Sequence, residues 1–169
     1  TNLYVFKTKK KKIADFCFKG NKVECIVGAN GIGKKAREGD GVTPRGVYKL
    51  EKIFYRPDRI PKFITNIPIS QIKKNSFWCV DSNSCYYNQF FNSKNNFECE
   101  TLFRDDCLYD IFITLNYNVK PTKKYKGSAI FLHCFEKKTK FTEGCVAVPK
   151  HLLIEVAKQI SPSSKIIIT

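Results

Sequence analysis

The chain has 169 residues, of which 43% are hydrophobic and 14% aromatic. This content excludes a disordered tail, and the length favours one domain with a core of its own. Thirty lysines and arginines against fifteen aspartates and glutamates give a net charge of +15, which indicates an anionic partner or surface. No apolar run approaches the roughly 20 residues that span a bilayer, so no transmembrane segment is predicted. The chain opens at Thr1, and this start carries no information on localisation.

Most apolar segments have the β-branched and aromatic content of strands, and we predict a single mostly β domain over residues 1–169. Two of these segments flank Gly20-Asn21 and predict a hairpin, since a two-residue turn of this kind joins paired strands. The predicted strands, in chain order, are Leu3–Lys7, Ile13–Lys19, Lys22–Val27, Gly46–Tyr55, Ser76–Cys79, Leu108–Leu115, Ser128–Phe135 and Lys165–Thr169.

One helix is predicted late in the chain. It begins at Pro149, a suitable first helical residue, and apolar residues recur at spacings of three and four as far as Ile160. Between strands, Gly28–Gly46 is a long glycine-rich stretch, and irregular segments of this length in compact domains are often functional. Asn83–Lys94 is predicted to be a loop with a helical turn.

Two ligand sites are suggested by short motifs but are disfavoured by their context. Gly28–Lys34 matches the G-x-x-x-x-G-K pattern of a phosphate loop, yet Lys35 follows where magnesium binding needs Ser or Thr. No helix can follow it either, so a glycine-rich hairpin loop is the better interpretation. Eight cysteines and two histidines could bind zinc, but there is no C-x-x-C pair, and the adjacent His133 and Cys134 would point to opposite faces of a strand. We predict no metal and no cofactor.

His133 and Cys145 form a stronger candidate site. A thiol is a weak nucleophile at its free pKa of about 8.5, and an adjacent imidazole makes it a thiolate at neutral pH. Histidine is also a natural general acid for a leaving amine. Gly144 lets a substrate approach closely, and the N–H groups of Gly144 and Cys145 are expected to hold a developing oxyanion. On spacing alone, the alternative is that both residues belong to the core.

These residues also resemble a family signature. His133 followed by Thr142–Val146 (TEGCV) is similar to the His … [Ser/Thr]-x-Gly-Cys signature of the L,D-transpeptidase (YkuD-type) catalytic domain. Gly39–Tyr48 resembles that family's G-D-G-x-T-P-x-G-x-[FY] segment. Further segments follow the order of the branch with GSAIFLH and TEGCVA motifs: Trp78–Asp81, Tyr86–Asn88, Leu108–Asp110 and Gly127–His133.

The resemblance implies a β-rich mixed sheet or sandwich with its main helix after the catalytic cysteine. It implies an enzyme that cleaves and re-forms peptide bonds in peptidoglycan stems through a thioester on Cys145, with His133 as acid and base. The carbonyl of Cys134 would orient the imidazole. An amine from a neighbouring stem would resolve the thioester in a transpeptidase, and water would do so in an L,D-carboxypeptidase. Amidase chemistry on the same scaffold is a further alternative.

The sequence departs from the commonest form of the family in two places. Glu143 stands where many members carry a second histidine, which leaves His133 as the base candidate near the motif and His151 as an expected surface residue. Val146–Val148 lacks the polar residues that bind substrate in many members. The substrate-binding candidates are therefore drawn from other segments as well: Trp78, Asp81, Arg56, Tyr125 and Glu143. The alternatives are core packing for Trp78, a turn cap for Asp81, and a solvated loop for Arg56 and Tyr125.

The resemblance also implies a location in the periplasm or cell envelope, where a +15 protein would be held near the anionic wall. We expect the protein to be a monomer. The outside alternative is a nucleic-acid-binding module, but the lysines are dispersed and no known binding motif accompanies them.

The cysteines have a further implication. With Cys145 assigned a chemical role, the other seven cannot all pair within one chain. Cys79–Cys85 or Cys99–Cys107 could bridge in an oxidising compartment, and most are expected to be free buried thiols.

Overall fold

The computed structural model describes residues 1–93 and 96–169. Within them the chain forms fourteen strands and one helix. The elements are β1 (Leu3–Lys7), β2 (Ile13–Phe18), β3 (Asn21–Ile26), β4 (Ile32–Gly33), β5 (Thr43–Pro44), β6 (Gly46–Tyr55), β7 (Ile69–Gln71), β8 (Phe77–Cys79), β9 (Phe90–Phe91), β10 (Cys99–Thr101), β11 (Ile111–Leu115), β12 (Phe131–Cys134), β13 (Val146–Val148), α1 (Lys150–Gln159) and β14 (Lys165–Ile168). The prediction of a mostly β fold with its main helix after the cysteine motif is confirmed.

The main sheet is mixed and closes on itself. Its nine strands lie in the order β11-β12-β13-β3-β2-β1-β14-β6-β7. One edge of β6 pairs with β14 and β7, and its other edge pairs with β11. The strands therefore form a ring from which β7 branches. Helix α1 buries Leu152, Leu153, Val156 and Ala157 and packs next to β11 and β12.

The local predictions agree with the structure where the sequence signal is strong. β2 and β3 form the predicted hairpin, although its turn is Lys19-Gly20, and both turn residues have positive φ. β12 begins three residues later than predicted because Ala129 adopts a left-handed φ of 52°, which interrupts the extended backbone. In the predicted Asn83–Lys94 loop, residues 83–93 form turns and β9, while Lys94 lies outside the described residues.

A smaller sheet, in the order β10-β8-β9, packs beside the main one. Trp78 of β8 meets Phe131 of β12 edge-to-face at 4.9 Å between ring centroids. Phe112 stacks on Phe131 at 4.6 Å and on Phe54 at 5.0 Å. This aromatic layer fixes β8 and β10 against the strands that carry the candidate site.

Among the described residues, no helix is long and apolar enough to cross a membrane.

Candidate active site

The ring brings His133 and Cys145 to the same cleft. β12 and β13 are parallel neighbours, with His133 opposite Ala147 and Leu132 opposite Val146, and Cys145 directly precedes β13. Both side chains are buried, and both line a cleft of ≈ 600 Å³. The pairing of two parallel strands therefore brings together a thiol and an imidazole from separate segments.

The thiol of Cys145 is held between two backbone groups. It donates to the carbonyl of Ala129 at 3.1 Å and accepts the N–H of Phe131 at 3.3 Å. Burial raises the pKa of Cys145 to about 12, although the N–H of Phe131 and the nearby Lys35 ammonium favour the thiolate. At neutral pH the thiol is thus protonated before a substrate binds, in contrast to the thiolate expected from the sequence.

The imidazole of His133 has a defined tautomer. Its Nδ1 lies 2.7 Å from the carbonyl oxygen of Cys134, and this oxygen can only accept, so Nδ1 carries the hydrogen. The lone pair is then on Nε2. Burial lowers the pKa of His133 to about 4, so the ring is neutral at pH 7 and can accept a proton at Nε2. The backbone contact is the one that the family resemblance implies.

Tyr109 and Glu100 form the wall next to His133. The rings of Tyr109 and His133 meet edge-to-face at 5.3 Å between centroids. The Tyr109 hydroxyl donates to the carboxylate of Glu100, which lies on β10. Burial raises the pKa of both groups. Arg104 covers the Tyr109 ring with its guanidinium 5.2 Å from the centroid. The small sheet thus contributes charged and hydrogen-bonding groups to the cleft.

Gly144 is restricted by its surroundings. Its φ is +140°, and a Cβ there would lie 2.9 Å from the carbonyl oxygen of Val42. Its N–H donates to Thr142 Oγ1 at 3.2 Å, and that hydroxyl in turn donates to the carbonyl of Cys145 at 2.7 Å. The N–H of Cys145 meets no acceptor in the part of the chain that the structure describes. Of the two predicted oxyanion donors, only the one on Cys145 is therefore ready to bind a ligand in this geometry.

The glycine-rich stretch 28–46 forms another side of the cleft. Lys35 and Asp40 make a buried ion pair at 2.6 Å, and their side chains are 3% and 11% exposed. Asp40 also accepts the N–H groups of Ala36, Arg37 and Val42 at 2.8–3.1 Å. Lys35, the residue that disfavours a phosphate loop, thus forms an ion pair with Asp40 that helps to fix the conformation of this loop.

The substrate-binding candidates fall into two groups. Glu143 lines the cleft and is exposed at its rim. Trp78 is buried in the aromatic layer and donates to Asn88 Oδ1 at 2.9 Å. Arg56 is 4% exposed and makes two bonds with the Asp58 carboxylate, at 2.7 and 2.8 Å. Trp78 and Arg56 are not among the residues that line the cleft.

The other two candidates also lie outside the cleft lining. Asp81 accepts the N–H of Asn83 at 2.9 Å, which is the geometry of a turn cap. Tyr125 is 53% exposed, and its hydroxyl bonds to the side chain of Asn83. These contacts correspond to the structural alternatives weighed for them from the sequence.

Several cleft residues were not predicted as site residues from the sequence: Lys35, Glu38, Glu98, Glu100, Arg104, Tyr109 and Ser128. Tyr109 carried a signal, because it stands in the segment Leu108–Asp110 that resembles the family. The charged residues carried none, because their sequence neighbours do not distinguish them from other surface charges.

Comparison with known proteins defines the class. The model of the YkuD family, described as the L,D-transpeptidase catalytic domain, matches residues 2–168. The chain belongs to this family, whose members act on peptidoglycan. A solved structure, that of Bdellovibrio bacteriovorus Bd1075, is similar at 16% identity and a TM-score of 0.45 over 100% of this chain and 48% of that one. The chain thus spans about half the length of that protein. No curated protein matches it.

Proposed function

We propose that this domain is a cysteine acyltransferase that acts on peptidoglycan stem peptides, with Cys145 as nucleophile and His133 as general acid and base. The observation that carries the proposal is the pairing of β12 with β13, from which both side chains reach one cleft. The tautomer of His133 supports it further, since Nε2 is unprotonated while Cys134 binds the other nitrogen. Family membership supplies the substrate class.

The neutral state of both groups determines how the first step runs. An ion pair formed in advance is unfavourable, because burial raises the pKa of Cys145 and lowers that of His133. The thiol proton therefore moves to Nε2 as Sγ attacks the substrate carbonyl. The N–H of Cys145 donates a hydrogen bond to the developing oxyanion. The N–H of Gly144 becomes a second donor to the oxyanion once its hydrogen bond to Thr142 Oγ1 is broken.

The remaining steps follow from the same two groups. The imidazolium of His133 gives its proton to the leaving amine, which departs as a D-amino acid, and the acyl group stays on Cys145 as a thioester. The neutral imidazole then deprotonates an incoming amine of a second stem as this amine attacks the thioester. The bond between the acyl carbon and Sγ breaks, the crosslinked product leaves, and the proton passes from His133 to the thiolate of Cys145. Glu143, exposed at the rim, is the candidate for binding the cationic part of a stem peptide. We place this reaction in the cell envelope, where the net charge of +15 retains a monomer at the anionic wall.

The test is exchange or release of the terminal D-amino acid from a tetrapeptide stem. Cys145→Ala should reduce the rate to background, whereas Cys107→Ala, at an exposed cysteine, should retain wild-type activity. A Cys145→Ala enzyme that keeps the activity would contradict the mechanism. If the wild-type protein lacks the activity and instead binds nucleic acid sequence-selectively, the domain is a binding module.

Product analysis on purified peptidoglycan identifies the reaction within this class. New crosslinked dimers are the expected result for a transpeptidase. Tripeptide stems with free D-alanine would make the enzyme an L,D-carboxypeptidase, and intact free stem peptides would make it an amidase.

A further inference from the structure

Two cysteines face each other in the small sheet. β8 and β10 are antiparallel, and their register sets Cys79 directly opposite Cys99. All eight cysteines are free thiols in the structure. The pair differs from both bridges considered from the sequence, because the register joins one cysteine from each of those bridges.

The type of strand pair suits a disulfide. The N–H of Val80 donates to the carbonyl of Glu98 at 3.0 Å, so the positions next to Cys79 and Cys99 are the hydrogen-bonded ones. The N–H of Cys79 points the other way, to Gln89 at 2.8 Å. Cys79 and Cys99 therefore form a non-hydrogen-bonded pair, in which the Cα atoms are about 4.5 Å apart and the side chains share one face. This separation lies within the range of roughly 4.4–6.8 Å that disulfides span.

We infer that Cys79 and Cys99 form a disulfide in an oxidising environment and thereby tie β10, one wall of the catalytic cleft, to β8. Cys99 lines the cleft and is half-buried, whereas Cys79 is fully buried. Cys99 is accordingly the thiol that an oxidant reaches first. Glu100, the next residue on β10, accepts the Tyr109 hydroxyl, and the Tyr109 ring packs on His133. The bridge would thus hold the strand from which this wall is built.

The oxidant is a small-molecule disulfide such as oxidised glutathione. The thiolate of Cys99 attacks one of its sulfur atoms, which forms a mixed disulfide and releases one thiol. The thiolate of Cys79 then attacks Sγ of Cys99, which closes the protein disulfide and releases the second thiol. The two protons lost by the cysteines end on the two released thiols. Burial raises the pKa of both cysteines, so the exchange should be faster above neutral pH.

The experiment maps the bridge directly and does not depend on enzymatic activity. The domain is incubated with oxidised glutathione, its remaining thiols are alkylated, and the unreduced digest is analysed by mass spectrometry. We expect a crosslinked peptide pair joining Cys79 to Cys99, lighter by two hydrogens than the separate peptides and absent after reduction. Alkylation of both cysteines, or a bridge to Cys85 or Cys107 instead, would overturn the inference.

Thermal unfolding tests the tie between the strands. The bridge closes a loop of about twenty residues, and the oxidised domain should melt roughly 6–12 °C higher than the reduced one. Cys99→Ser should lose both the crosslink and this rise, while Cys85→Ser and Cys107→Ser, at exposed positions, should keep both. A crosslink without a rise in Tm would show that β10 is not held by it.

Discussion

Replacing Asp40 with asparagine removes one charge from the glycine-rich loop and leaves its size unchanged. In the wild type the carboxylate meets the Lys35 ammonium at 2.6 Å and three backbone N–H groups. The variant leaves the Lys35 ammonium buried without its partner. Lys35 Nζ lies 3.4 Å from the point where a Cβ on Gly144 would stand, so the substitution should also disturb the surroundings of Cys145, the proposed nucleophile.

The magnitude follows from the pKa of Asp40. Although burial opposes it, the Lys35 ammonium and the backbone N–H groups lower this pKa from 3.8 to about 2. At 1.36 kcal/mol per pKa unit, the charged form contributes about 2.4 kcal/mol to stability at neutral pH. Breaking a buried ion pair by removing one partner costs roughly 3–5 kcal/mol. We therefore expect Asp40→Asn to lower the free energy of unfolding by about 2–5 kcal/mol at pH 7.

Urea unfolding of both proteins at a series of pH values is the assay. The contribution of Asp40 to the free energy of unfolding is present above pH 4 and is lost as the pH falls through the pKa of Asp40 in the folded protein. The difference in unfolding free energy between the two proteins should therefore be about 1 kcal/mol smaller at pH 3 than at pH 7. Asp15→Asn serves as the control, because its pair with Lys22 lies at the surface and should matter little. A difference below about 1 kcal/mol at pH 7, or one constant down to pH 3, would refute the argument.

Two further predictions concern the cysteine motif and the histidine. Gly144→Ala should lower the free energy of unfolding by about 1–3 kcal/mol more than Gly20→Ala does. Both glycines have positive φ, but of the two only Gly144 has the carbonyl oxygen of Val42 within 2.9 Å of an added Cβ. Equal losses for the two variants in urea unfolding would contradict this prediction. Burial lowers the pKa of His133 from 6.5 to about 4. The free energy of unfolding of the wild type should therefore fall by up to about 3 kcal/mol as the pH decreases from 6.5 to 4. His133→Asn should flatten this dependence of the free energy of unfolding on pH, whereas His151→Asn, at the surface, should not. Parallel curves of unfolding free energy against pH for the wild type and His133→Asn would exclude His133 as the cause.

Local sequence signals predicted those elements that carry their own pattern. The bounds of Leu3–Lys7 and Gly46–Tyr55 agree with the structure, because β-branched and aromatic residues make up half or more of each segment. Ile69–Gln71 and Phe90–Phe91 were not predicted. Each has only two or three residues and exists because a neighbouring strand supplies its hydrogen bonds. No periodicity can develop over so short a segment.

The site shows the same division between local and tertiary information. Cys145 and His133 were chosen as candidates because a short signature carries them. Glu100 and Arg104 reach the cleft only because the aromatic layer seats the small sheet against β12. Trp78 and Arg56 were predicted to bind substrate, but in the structure Trp78 packs on Phe131 and Arg56 pairs with Asp58.

The closure of the main sheet has a consequence for how the domain is assembled. β14 fits between β1 and β6, with Ile166 opposite Leu3 on one side and opposite Tyr48 on the other. The contact between Leu3 and Ile166 joins residues that are far apart in the sequence, so the ring cannot be sealed until β14 has been synthesised. Until then, β1 and β6 each expose a row of unpaired backbone groups, which is the kind of surface on which chains aggregate. Synthesis therefore leaves a time window in which a chaperone that shields strand edges would raise the yield of folded protein.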